Sequence, residues 1–148
     1  MNFFSAMDVS ASGLTAERVR MDVISQNIAN VNTTRTIQGG PYKRKLVTFK
    51  EIQPNYSFKD IFDKVKGSFS GAGVEVTGII EDNTTPFRDV YDPGNPDANK
   101  DGYLQMPNIN VVSEMVDMIS ATRAYEANVT AFNAAKSMLQ KSLEIGKA

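Results

Sequence analysis

Cysteine and histidine are both missing from the 148 residues of this chain. Their absence removes the thiol nucleophile, the imidazole base and the usual zinc and haem ligand sets. Disulfides cannot form, so bridges carry no information about redox compartment. An excess of one charge is missing as well, since 16 Lys and Arg stand against 17 Asp and Glu, for a net charge of -1. Dedicated nucleic-acid binders usually carry a strong basic excess. No stretch approaches the roughly 18 uncharged apolar residues of a membrane span. The opening Met1–Asp8 has no basic segment leading into a long apolar core, so no cleaved Sec-type signal is expected. These absences predict a non-enzyme with no cofactor, no metal, no small-molecule substrate and no nucleic-acid partner.

What the chain does have is two helical ends. Over residues 5–31 the apolar positions Phe4, Met7, Ala11, Leu14, Met21, Ile24, Ile28 and Val31 fall at heptad-like steps. Ser5 with Asp8 three residues on predicts an N-cap. Asn30-Val-Asn-Thr-Thr34 predicts the stop, because Asn tolerates the left-handed backbone of a helix end. Residues 111–145 predict a second helix after Pro107, with Asn110 as its N-cap. There Met115, Met118, Thr122, Tyr125, Val129, Phe132, Lys136, Leu139 and Leu143 step by three and four throughout. At 1.5 Å per residue such a helix is on the order of 50 Å long.

The middle has a different texture. Tyr42–Phe49 and Gly73–Ile80 predict strands, and Phe87–Tyr91 a third. Ser57–Lys66 predicts a short amphipathic helix, followed by a flexible glycine-rich run, and 51–72 as a whole predicts a flexible stretch. Residues 92–102 predict a turn-rich loop. The fold class expected is therefore α+β. Long N- and C-terminal helices pair as a hairpin or coiled coil, at 1–35 and 108–148, around a small β-rich middle at 36–107.

Apolar residues outnumber what one helix–helix seam can cover. Val9, Val19 and Val23 lie off the seam on the first helix, and Val112, Val116, Ile119 and Ile145 on the second. Alanines at 121, 124, 127, 131, 134 and 135 allow close approach of further helices. Either neighbouring subunits cover these faces, or the middle segment folds back over them. Leu14, Met21, Ile24 and Ile28 are expected to meet Val129, Phe132, Leu139 and Leu143 if the helices run antiparallel, with Met115, Met118 and Tyr125 on the same packing surface.

Three other features invite a function. Asp97-Ala-Asn-Lys-Asp-Gly102 has the oxygens at positions 1, 3 and 5 and the glycine at 6 of a calcium loop. Position 12 is Asn108 rather than a bidentate Glu, and a turn loop is the better reading. A calcium-binding or peripheral interaction module is the alternative function. Lys43-Arg-Lys45 is basic but predicts a solvated strand face or a contact with an acidic subunit. Gly13, inside the first helix, marks a close contact or nothing.

Residues 12–34, with Asn27-Ile-Ala-Asn30 and Asn32-Thr33-Thr34 at their centre, resemble the N-terminal signature of bacterial flagellar axial proteins. Residues 114–128, containing Arg123, Tyr125, Glu126 and Asn128, resemble the matching C-terminal signature. Pro41-Tyr-Lys-Arg-Lys45, residues 90–99, Gly102-Tyr103, Pro107-Asn108 and the sequence Thr34-Arg35-Thr36 are similar to the proximal-rod group of that family. The resemblance implies a structural subunit of the basal-body rod, the shaft that crosses the periplasm and carries torque from motor to hook. It implies paired terminal helices stacked in a helical array with further copies and other rod subunits. It also implies passage through the flagellar type III export apparatus without a cleaved signal.

Overall fold

The computed structural model describes residues 3–52 and 73–146. The helix expected at 57–66 and the glycine-rich run after it lie outside the described residues.

Two long helices dominate. α1 spans Phe3–Ala29 and α2 spans Val111–Ile145. The predicted N-cap at Ser5 is displaced, because α1 is already helical at Phe3 and Ser5 lies in its first turn. At the other end Asn30 is not left-handed, since no non-glycine residue among those described has a positive φ. The helix stops instead on side-chain bonds. Asn30 Nδ2 donates back to the Gln26 carbonyl at 2.8 Å, and Thr33 Oγ1 donates to Asn30 Oδ1 at 3.1 Å. Asn110 caps α2 as expected, its side chain accepting from the N–H groups of Val112 and Ser113.

The helices run antiparallel. Gly13 faces Asn128, the Thr122 hydroxyl reaches Met21 Sδ at 3.7 Å, and Asn27 meets Glu114 at 3.0 Å. This register corrects the expected pairing. Ile28 lies level with the start of α2, whereas Leu143 lies about 45 Å further along that helix. Leu14 and Val129 do share a level. The seam itself also differs from the one read from large apolar residues. On α2 the buried positions are Glu114, Ala121 and Ala135, and with Asn128 they recur every seven residues. On α1 they are Ser10, Ala16, Val23, Ile24 and Asn27. Small side chains line the seam and let the backbones close in, while larger ones flank it. Val23, expected off the seam, is part of it.

Gly13 shows how close the helices come. A Cβ there would lie 2.9 Å from Asn128 Nδ2, so its absence makes room for the family asparagine.

β1 (Lys45–Glu51) pairs antiparallel with β2 (Val74–Glu81), from Lys45 opposite Glu81 to Glu51 opposite Val74. A bulge at Thr48/Phe49 shifts the register and increases the local twist. Glu51, expected at the start of the flexible stretch, is a strand residue. β1 begins three residues later than predicted because Tyr42 and Arg44 are held in other contacts described below. This sheet packs on α1 and makes no comparable contact with α2. Ser12 on α1 joins them, its hydroxyl donating to the Val9 carbonyl and accepting from the Val74 N–H at 3.1 Å. Gly73, at φ +97°, leads the chain into β2 directly against Ser12, where both the left-handed backbone and the lack of space call for glycine.

β3 (Arg88–Tyr91) pairs with β4 (Tyr103–Met106), a strand the sequence reading did not include. Tyr91 and Tyr103 sit opposite each other with ring centroids 5.3 Å apart, edge to face. Gly39 and Gly40 form a chain reversal, both at positive φ, closed by bonds between Thr36 and residues 39 and 40.

Candidate assembly surfaces and the polar node that orients them

Where the two helices meet the strands, a chain of polar groups is closed off from water. Asn27 and Glu114 are each 1% exposed. Asn27 Nδ2 donates to Glu114 Oε2 at 3.0 Å and to the Lys45 carbonyl at 2.9 Å. Its Oδ1 accepts from the Lys45 N–H at 2.9 Å and the Tyr42 hydroxyl at 3.3 Å. Both donors and both lone pairs of the amide are thus used. Asparagine is the side chain that can do this, since it offers two donors and an acceptor on one short plane.

Glu114 Oε1 accepts from Arg44 Nε at 2.6 Å, a charge-assisted bond. Arg44 reaches on to Asp117 at 3.3 Å, and Arg20 on α1 approaches the other Asp117 oxygen at 3.6 Å. The Arg44 N–H donates to Asn108 Oδ1 at 2.8 Å, and Asn108 Nδ2 donates to the carbonyls of Asp82 and Thr85. Burial raises the Tyr42 hydroxyl above its ordinary pKa, and the carboxylates of Glu114 and Glu81 push the same way. At Asp82 the effect is opposite. Its carboxylate accepts from the hydroxyls and N–H groups of Thr84 and Thr85, and these bonds hold its pKa well below the carboxylate range.

Arg44 is the main departure from the predicted basic patch. It points inward to the carboxylates of its own chain rather than to solvent or an acidic neighbour. Lys43 donates to Asn83 at 2.8 Å, and Lys45 Nζ lies 5.6 Å from the Tyr42 ring centre.

The calcium-like loop spends its acceptors on itself. Asn99 Oδ1 accepts from the N–H groups of Asp101 and Tyr103. Asp97 accepts from Thr34 Oγ1 at 2.8 Å and lies 3.8 Å from Arg35, tying the loop to the end of α1. Among the described residues no cluster of three or more acidic side chains gathers as metal donors.

The expected packing residues divide into three groups. Ile24 is buried inside the hairpin. Leu14, Met21, Ile28, Met118, Tyr125, Val129, Phe132 and Leu139 are half-buried along its flanks. Met115 and Leu143 face outward. Of the motif residues, Asn27 anchors the node, Asn30 and Thr33 close the end of α1, Thr34 bonds Asp97, and Asn128 fills the space above Gly13. Asn32 is exposed, as are Arg123 and Glu126, which pair at 3.2 Å. Tyr42, Arg44, Asn108 and Glu114 were not singled out beforehand as site residues. The signal that pointed to them was their place in the motif stretches 41–45, 107–108 and 114–128, which carry the resemblance.

A continuous apolar stripe remains on α2. Val112, Met115, Val116 and Ile119, at helical spacing, are between 55% and 71% exposed. Among the described residues neither α1 nor the middle segment covers it. Contiguous apolar surface of this kind marks a protein contact.

A helical hairpin with terminal motifs of this type and uncovered apolar flanks defines the class, a flagellar rod protein. Residues 7–35 match the family described as "Flagella basal body rod protein", and residues 100–145 match "Flagellar basal body rod FlgEFG protein C-terminal". Over 99% of its length the chain is 52% identical to all of the flagellar basal-body rod protein FlgC of Bacillus subtilis. It is 48% identical to FlgC of Borreliella burgdorferi, with 98% of each chain covered. Identity to FlgC of Salmonella typhimurium is 37%, over 99% of this chain and all of the relative. The chain belongs to the FlgC family of flagellar basal-body rod proteins, and it is a structural subunit of the rod.

Proposed function

We propose that the chain polymerises through the helix faces its own hairpin leaves open, with further copies of itself and other rod subunits as neighbours, to build the part of the shaft that carries torque from motor to hook. The uncovered stripe Val112–Met115–Val116–Ile119 is the observation that carries this reading. In this reading residues 1–35 and 108–148 form the axial core, and 36–107 the outer portion. Leu14, Met21, Ile28, Met118, Tyr125, Val129, Phe132 and Leu139 widen the contact along the hairpin's flanks, with Met115 and Leu143 facing neighbours directly. A heterologous contact between two different patches repeats without closing, which suits a shaft. Delivery by the flagellar export apparatus to a periplasm-spanning rod completes the proposal.

The test separates folding from assembly. Val116→Asp and Ile119→Asp change exposed positions, so the monomer should keep its urea midpoint within about 0.5 kcal/mol. The same substitutions place a charge in the contact, and cells carrying either should lack rods and fail to swim. Normal swimming in both variants overturns the proposal.

A further inference from the structure

Beside Gly13, between α1, the β1–β2 sheet and α2, lies a groove of about 460 Å³. Val9, Phe49 and Val74 form apolar walls, and Asn128 lies on its floor. Two carboxylates, Glu17 and Glu51, line it, and among the described residues no Lys or Arg does. Glu17 Oε2 is closed to solvent and accepts no hydrogen bond among the described residues. Its nearest cation is Arg20, at 3.8 Å. Glu51 has no ion pair among the described residues. The groove therefore presents an apolar slot edged by the Glu51 carboxylate, which has no ion pair among the described residues.

At the far end of the hairpin the opposite chemistry projects outward. With Gly13 level with Asn128 and Asn27 level with Glu114, Phe3 lies level with about residue 138, so Leu139–Ile145 extends roughly 10 Å past the start of α1. This overhang carries Leu143 and Ile145, 66% and 78% exposed. Lys136 stands beside them without an ion pair among the described residues, while Lys141 is paired with Glu144 at 2.8 Å.

We infer that the groove receives the α2 overhang of a second copy of this chain, Leu143 and Ile145 entering between Val9, Phe49 and Val74 while Lys136 faces Glu51. The inference rests on the proposed polymerisation and names one contact within it. Apolar side chains meet an apolar slot, and Lys136 and Glu51, neither of which has an ion pair among the described residues, carry opposite charge. A copy displaced along the hairpin axis by about 16–26 Å brings its overhang level with the groove of the next. The displacement repeats, so the contact is open-ended.

The absence of cysteine makes the test clean. Full-length Phe49→Cys and Leu143→Cys variants, both at exposed positions, are mixed at high concentration and oxidised with copper phenanthroline. The expected product is the mixed disulfide dimer, in excess over either homodimer. Lys136→Glu in the Leu143→Cys partner should lower its yield about fivefold, and Glu51→Lys in the other partner should restore it. In basal bodies purified from cells with the double variant, a ladder of linked subunits is expected. Rods that assemble without the ladder overturn this contact while leaving polymerisation standing. Absence of the mixed dimer in solution overturns the contact as well. Protection of the Phe49→Cys thiol from a soluble maleimide in the dilute monomer also overturns it, because it assigns the groove to residues 53–72 of the same chain.

Discussion

Asn27 in the last turn of α1 donates to Glu114 in the first turn of α2 at 3.0 Å, with both side chains closed to water. That contact, 87 positions apart in sequence, joins the two ends of the chain and sets their register. Asn27→Ala removes the partners of Glu114 Oε2 and of the Lys45 N–H and carbonyl. Each buried group left unpaired costs about 1–3 kcal/mol. The variant should lose roughly 3 kcal/mol, read as a lower urea midpoint at unchanged slope. Asn27→Asp should be worse, because it sets a second carboxylate against Glu114. A loss below about 1 kcal/mol for Asn27→Ala contradicts the role given to the node.

Gly13 and Asn128 make a reciprocal prediction. Alanine at position 13 places a methyl 2.9 Å from the Asn128 amide, so Gly13→Ala alone should gain less than the roughly 1 kcal/mol that alanine offers over glycine in a helix. Asn128→Ala clears the space. In the double variant the full propensity gain should reappear, and a double-mutant cycle should show coupling of at least about 0.5 kcal/mol. Additive effects mean that the two positions do not share the space.

The two helices could be read from sequence because their pattern is local and periodic. Asn110 was readable as a cap for the same reason, since its partners are two and three residues away. The seam was not read correctly. Weight given to large apolar residues favoured Met115 and Leu143, whereas the close seam runs through Ala121, Asn128 and Ala135. Glu114 was not read as a buried anchor because its partner Arg44 is 70 residues distant. No local rule connects them. β4 was missed because four residues between a turn and a proline carry too little alternation to declare a strand.

Acid should weaken the fold through Asp82. Its folded pKa lies well below the 3.8 of the free side chain, so between those values the unfolded chain binds the proton and the folded chain does not. Stability from this group is complete above about pH 4 and falls as pH drops further. Asp82→Asn carries no titrating group. Urea midpoints measured from pH 5 to pH 2 should therefore fall less steeply in that variant than in the parent. Parallel curves mean that the four threonine bonds do not favour the ionised form.

Protection from hydrogen exchange should be graded along α2. Near Glu114 and Ala121 the helix is held by the node and the small-residue seam, so amides there should exchange only through larger openings. Past residue 138 no part of α1 from Phe3 onward lies beside it. A single helical segment of about seven residues is marginal in water without tertiary contacts. Amides of Leu139–Ile145 should exchange close to the free-peptide rate in the purified monomer and slow by orders of magnitude in assembled rods. Because the seam and the overhang belong to one helix, each is the other's control for pH, temperature and sequence effects. Equal protection of both in the monomer means that the overhang is held without a neighbour, and then ordering of that end cannot be what assembly contributes.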